Sequence, residues 1–469
     1  MKSKIQKIII DPASPFSNDK VSREKSAQLL THYVSSIKQP YVLAIDGKWG
    51  TGKSTFIEMW LPVLAQKEIA TVLFNAWEAD YHDDVLSTLI FEFAESVEKY
   101  MLRRTTAEKK AINKILKKTK TFGIKLGKGI LPAAVKAASA GLIDLAEVTA
   151  DGLDEAAEKA SEVLLKTYEQ KKKSVSGFKD ALSECVKAVK KANGDLPFVY
   201  IIDELDRCRP SYALELLEKI KHLFNVEGVV FVLAVDLDQL SHTLNGIYGE
   251  AFDARGYLRR FIDMEYRLPP PNFKDFSLHT LKALDLEEMV RTICGDVNAS
   301  IFVSEIFGAL AASFNMSLRD IEQALAQLNV FLRTFSNSRS NYDYLLLPLV
   351  IALRFARPKL YDRLMNTSLA ADELIKIIAE HPEGAAMLET NNGACFEGAI
   401  YREISTRAEV DRRIKQAESV LLPHSAQINV PPTAAQMLMD VLKGYPLARR
   451  KNLKDLHDRL EMTKDFAAL

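Results

Sequence analysis

Cysteine is scarce in this 469-residue sequence, which contains only Cys185, Cys208, Cys294 and Cys395. No two stand at the short spacing that a zinc site or a thioredoxin-like redox pair requires, so neither is expected. Scattered, reduced thiols fit a cytoplasmic protein, and that localisation is the expectation. An excess of charge is missing as well. Lys plus Arg and Asp plus Glu each total 62, which removes any global argument for binding a polyanion and leaves nucleic acid open only through a local basic patch. Long apolar runs are also absent. The amino end, MKSKIQKIIIDPASPFSND, offers one run of three isoleucines, far short of a signal-peptide core. The stretch from Phe122 to Ala150 is small and apolar but is interrupted by Lys125, Lys128, Lys136, Asp144 and Glu147. A bilayer span wants about 20 mostly apolar residues, so no integral membrane span is expected. What remains is a composition of 48% hydrophobic and 26% charged residues, that of a globular protein with two or more domains.

Periodicity organises the chain. Ser22 to Ile37 has helical spacing, and YVLAIDG from Tyr41 is an apolar run ending in glycine, as a buried strand entering a loop would be. A helix is predicted over Thr55 to Gln66, a buried strand over Ile69 to Trp77, and a helix over Asp84 to Leu102. From Arg103 to about Cys185 the sequence turns to Lys, Ala and Glu, which suggests a helical insertion, its lysine runs being solvated faces or a headgroup patch. The alternation resumes with a strand from Leu196 to Glu204, a helix from Ser211 to Phe224 and a strand from Val229 to Asp236. Unbroken apolar strands alternating with helices specify an α/β fold, a parallel sheet flanked by helices on both faces. Beyond Pro269, Pro270 and Pro271 only helical spacing is found, as in Leu318 to Leu332 and Ala434 to Leu442. The expected division is a discontinuous core of residues 1–102 and 186–271, a helical insertion at 103–185 and an all-helical C-terminal region at 272–469.

Chemistry enters at Gly47-Lys48-Trp49-Gly50-Thr51-Gly52-Lys53-Ser54-Thr55, which fits G-x-x-x-x-G-K-[ST] between a predicted strand and a predicted helix. Glycines let the backbone curl so that its N–H groups face a phosphate, and the following helix adds its positive end. Lys53 is placed to neutralise β- and γ-phosphates, and the Ser54 hydroxyl to ligate Mg²⁺. Hydrolysis further needs an acid on a neighbouring strand to hold the metal and a base to position water. FVYIIDE supplies both: Asp203 is assigned to the metal and Glu204 to the attacking water. Arg207, in the continuation LDRCRP, is either a partner of Asp206 or a contact to nucleotide across a subunit boundary. Asp236 ends a strand, where it either senses the γ-phosphate or caps a loop. Arg259 and Arg260 offer an arginine finger to a neighbouring subunit, or a solvated face. Arg319 opens a C-terminal helix and either leans over the γ-phosphate from a lid or forms a salt bridge.

Taken together, DGKWGTGKST from Asp46, FNAWEAD from Phe74, IIDELDRCRP from Ile201, FVLAVDLDQL from Phe231 and YLRRFIDMEYRLPPP from Tyr257 resemble the KAP family of P-loop NTPases. That family is an additional-strand branch near the STAND and AAA+ proteins. The resemblance runs from Asp19 to about Pro271, with an extension toward Leu332. It implies ATP and Mg²⁺ as cofactors, Asp203 as the metal-associated acid, Glu204 as the catalytic one, and Trp49 and Trp77 as structural marks. Relatives often carry membrane helices between the phosphate loop and the acidic strand, and the family includes a phage-excluding plasmid protein and an animal membrane scaffold. Three functions follow as expectations. The first is a switch or assembly ATPase in bacterial anti-phage defence, a homo-oligomer acting with an effector partner. The second is an ATP-regulated scaffold in peripheral contact with a membrane through the insertion. The third, a nucleic-acid-stimulated ATPase, is disfavoured by the neutral charge.

Overall fold

The computed structural model describes residues 9–82, 84–101, 112–121, 172–294, 298–335, 343–421, 432–444 and 451–463. Five strands form one sheet: β1 (Tyr41–Asp46), β2 (Thr71–Asn75), β3 (Phe198–Asp203), β4 (Val229–Val235) and β5 (Met264–Arg267), in the order β2-β3-β4-β1-β5 with every pairing parallel. Between β1 and β2 lies α2 (Lys53–Gln66), preceded by α1 (Glu24–Ser36); after β2 come the single turn α3 (Ala76–Ala79) and α4 (Val85–Met101). These match the predicted elements to within a residue or two at most ends.

The strands are apolar on both sides because both faces of the sheet are covered. Val42, Ala44, Phe198, Tyr200, Ile202, Phe231 and Leu233 point into one core with residues of α4 and of the helices Pro210–Leu223 and Leu237–Tyr248. Leu43, Ile45, Val199, Ile201, Val230 and Val232 point into the other, against Leu30 and Val34 of α1 and Phe56, Ile57 and Trp60 of α2. This is the period-two alternation of a strand buried on both faces.

Strand β5 was not foreseen. Its side chains are mostly exposed, reading Met-Glu-Tyr-Arg, because it is an edge strand paired only to β1, with Leu43 opposite Met264 and Asp46 opposite Arg267. An edge strand of this kind leaves no apolar run to detect.

Most of the expected insertion lies outside the described residues, including the stretch from Phe122 to Ala150. Its described residues belong to helices 112–121 and 172–192, the second running past the expected boundary at 185, and they bear on the sheet: Ile112, Leu116, Phe178 and Leu182 join the same core as Tyr200 and Phe224. Among the described residues no helix is long and apolar enough to cross a membrane. After β5 the described chain is helical to Met462. Helices Phe273–Ala283, Ala299–Phe314, Leu318–Thr334 and Asp343–Ala356 start a third core that includes Phe276, Phe307, Leu318, Ile321 and Val350.

Candidate nucleotide site

Polar side chains line the carboxyl edge of the sheet. Asp46 ends β1, Asn75 ends β2, Asp203 ends β3, and Asp236 directly follows β4. In open parallel sheets this is where ligands bind, since strand ends and helix starts converge there. The glycine loop leaves β1 at the same edge. Gly50 and Gly52 take φ of 74° and 82°, a left-handed conformation that costs other residues about 1–2 kcal/mol, and Gly52 immediately precedes the first turn of α2. The Gly47 N–H donates to Val235 O at 3.2 Å, tying the loop to β4.

Lys53 is buried, and its ammonium donates to the loop's own carbonyls, Gly47 O at 2.5 Å and Lys48 O at 3.3 Å. Burial lowers its pKa, opposed by the fields of Asp206, Asp236, Asp203 and Asp46. Burial likewise raises the pKa of Asp203, against hydrogen bonds from the Ser54 hydroxyl and the Glu204 N–H, the latter at 2.8 Å. A hydroxyl and a carboxylate in contact beside a buried ammonium form a donor set suited to a Mg²⁺-bound phosphate.

Glu204 sits in a left-handed conformation, φ 60°, which turns its side chain out of the strand. One carboxylate oxygen meets Arg207 at 3.0 Å and the other accepts from Asn75 Nδ2 at 3.4 Å. Arg207 is therefore the partner of Glu204 and not of Asp206. Its guanidinium also lies 5.7 Å from the centroid of the Trp77 ring. Asp206, 4% exposed, accepts from Trp49 Nε1 at 2.6 Å and from the Asp236 N–H at 3.0 Å, so it ties the glycine loop to β4. Motif joins motif again where Asp80 accepts from the Arg209 N–H at 2.8 Å and from its Nε at 2.9 Å.

The helix Leu318–Thr334 docks directly on the loop. The Leu318 N–H donates to Gly50 O at 3.0 Å, and Lys48 Nζ donates to Asn315 Oδ1 at 3.3 Å. A Cβ at Gly50 would lie 2.6 Å from Ser317 Oγ. Ser317 and Asp320 form a reciprocal capping box at this helix start, which secures its first turn. Arg319 sits in that turn, where a cation opposes the helix dipole, and it borders the cleft.

The cleft, about 270 Å³, is lined by Gly50, Gly52, Lys53, Ser54, Thr55, Asp203, Glu204 and Arg319 among others. Apolar side chains of Val21, Phe56, Met59, Phe276 and Leu318 complete it. Of the residues expected at the site, the Lys48 side chain reaches out to Asn315, and Thr51 turns back on the loop, its Oγ1 donating to Lys48 O at 2.7 Å. Gly47 underlies them. Asp236 is drawn in only indirectly. Its two oxygens accept from Gln239 N at 3.1 Å and Trp49 N at 3.2 Å, so it caps the next helix and braces the loop, and it does not line the cleft. Arg259 and Arg260 are exposed and likewise absent from the lining; Arg260 lies over the Tyr257 ring at 5.7 Å. Three residues escaped the sequence reading: Asn75, Asp206 in its bracing role, and Arg23.

A parallel sheet with one strand between the glycine-loop strand and the acidic strand, and a further strand at its edge, carrying this loop, defines a P-loop nucleoside triphosphatase domain. The chain belongs to the KAP family: the model of the KAP family P-loop domain matches residues 23–335. It is 26% identical over 174 residues to the phage T7 exclusion protein of Escherichia coli (strain K12), a match covering 36% of this chain and 22% of that protein. The match thus spans about a fifth of that relative's length. Among solved structures, the Aeropyrum pernix ORC2 protein in ADPNP-ADP complexes aligns over 90% of this chain and 95% of its own, at 12% identity and a TM-score of 0.33.

Proposed function

We propose that the chain binds Mg-ATP in this cleft and hydrolyses it, acting as a switch or assembly ATPase. The observation that carries the reading is the convergence of Lys53, Ser54, Asp203 and Glu204 from the loop and β3 into one cleft. Lys53 and the loop's N–H groups would hold the phosphates, with Ser54 and Asp203 holding the Mg²⁺. The metal supplies charge neutralisation of the phosphate oxygens. Glu204 is the base that takes the proton of the attacking water. Arg207 and Asn75 each engage one of its oxygens and orient the carboxylate, and each oxygen keeps a further lone pair for the water. Arg319 contributes positive charge from the helix docked on Gly50. In this reading Arg259 and Arg260, exposed on the same chain, serve the site of a neighbouring subunit.

Residues 1–102 and 186–271 then form the engine, 103–185 an inserted element, and 272–469 the lid and interaction region. The partial likeness to a phage exclusion protein supports a setting in anti-phage defence, with assembly of several copies as the output and an effector partner downstream.

The test is phosphate release and light scattering with Mg-ATP for the wild type, Lys53→Ala and Glu204→Gln. Wild type should turn over ATP. Lys53→Ala should lose binding, and Glu204→Gln should bind, lose turnover by about 100-fold or more, and collect in a larger assembly. Wild type that neither binds nor hydrolyses a nucleoside triphosphate sinks the proposal.

A further inference from the structure

Arg23 precedes α1 and is 1% exposed. Its backbone N–H donates to Asp19 Oδ2 at 2.5 Å, and its Nη2 donates to the carbonyl of Pro269, at 3.2 Å, at the start of the proline run after β5. Its Nε and Nη1 meet no acceptor among the described residues. Nη1 lies 3.6 Å from the position a Cβ would take at Gly52, the residue just before α2, and Arg23 lines the cleft beside Gly52, Lys53 and Leu318. Burying a guanidinium with a single acceptor is unfavourable. Consistent with that cost, burial pulls its pKa down to about 10, against the field of Asp19. The protein nonetheless holds the residue in place from two sides, its backbone by Asp19 and its side chain by Pro269.

We infer that Arg23 is a further nucleotide-binding residue, its unpaired Nη1 donating to a phosphate oxygen of the bound nucleotide at the start of α2. The inference rests on the proposed nucleotide site and adds to it. The Arg23 Nη1, the nitrogen beside Gly52, is a charge-assisted donor suited to a phosphate oxygen, and the positive end of α2 favours an anion at the same place. The remaining arm, on Pro269, sits where the chain leaves the sheet for the helical region. Bound nucleotide is thereby linked through one side chain to the root of the helices that supply Arg319.

The sign of the stability change separates this role from a packing role. Methionine has similar length and no charge, so Arg23→Met removes the burial cost while giving up one hydrogen bond to Pro269. The nucleotide-free protein should melt at or above the wild-type temperature. Its affinity for Mg-ATP should fall tenfold or more, as loss of a charged hydrogen bond predicts. Arg23→Lys, which keeps the charge but not the fixed planar guanidinium, should fall between. Titration with a fluorescent ATP analogue, with inorganic tripolyphosphate as competitor, reads all three proteins. Tripolyphosphate should weaken by the same factor as the nucleotide.

Unchanged nucleotide affinity in Arg23→Met overturns the inference, as does a loss confined to ATP with tripolyphosphate unaffected. Should Arg23→Met not fold, Arg23→Lys decides: full wild-type affinity there, with a lowered melting temperature, makes Arg23 a packing residue. If wild type itself shows no more binding than Lys53→Ala, it is the nucleotide site that fails, before Arg23 is considered.

Discussion

Replacing Gly50 by alanine probes the seam between the glycine loop and the helix that rests on it. The new Cβ would meet Ser317 Oγ at 2.6 Å and Ser317 Cβ at 2.7 Å, at a φ of 74°. The left-handed backbone costs about 1–2 kcal/mol, and a contact this close adds about 1–3 kcal/mol if nothing moves. Both Ser317 atoms sit at a capped helix start, so the contact cannot be relieved by one side-chain rotation. Letting the helix start swing away instead gives up chiefly the bond from the Leu318 N–H to Gly50 O, about 1 kcal/mol. Release is therefore the cheaper response, and the Leu318 amide should lose protection. Gly194 is the control. It has a φ of 76° and nothing within 4 Å of its would-be Cβ, so Gly194→Ala bears only the backbone cost. Hydrogen exchange read by mass spectrometry should show faster exchange around Leu318, by about tenfold, in Gly50→Ala and not in Gly194→Ala, with weaker Mg-ATP binding only in the former. Identical exchange at Leu318 in Gly50→Ala and wild type would refute the reasoning.

Trp49→Phe deletes the indole donor to buried Asp206 and should cost about 1.5–3 kcal/mol by denaturant unfolding; a loss within error would show that solvent, at this 46% exposed tryptophan, replaces the bond. Burial pushes the Cys185 thiol up to about 12, so at pH 8 only about one in ten thousand is thiolate. Peptide mapping after iodoacetamide should find Cys185 unmodified in the native protein and modified in denaturant, and rapid native labelling would contradict the packing around it.

The glycine loop, its flanking strand and helix, and the acidic end of β3 were all legible because each is a local pattern: glycines where the backbone must turn left-handed, apolar runs where both sheet faces are covered, an acid where a buried strand reaches its open end. The same locality hid β5, an edge strand with polar side chains, and left Asp236 undecided between two roles until its oxygens were seen on Gln239 and Trp49. Lys53, Asp203 and Glu204 were found by motif, but their surroundings were not. Asn75 reaches Glu204 across 129 residues, and Trp49 reaches Asp206 across 157. No spacing within the sequence encodes those distances.

The sequence by itself determined the phosphate loop, the parallel sheet with its apolar strands and the helical character of the chain beyond the proline run, since backbone freedom and hydrophobic period act over a few residues. Only the tertiary structure decided that Arg207 belongs to Glu204, that the helix at Leu318 rests on Gly50, and that Arg23 is buried in the cleft wall with two N–H groups unpaired. Those facts depend on which surfaces pack together, and packing is a property of the whole chain.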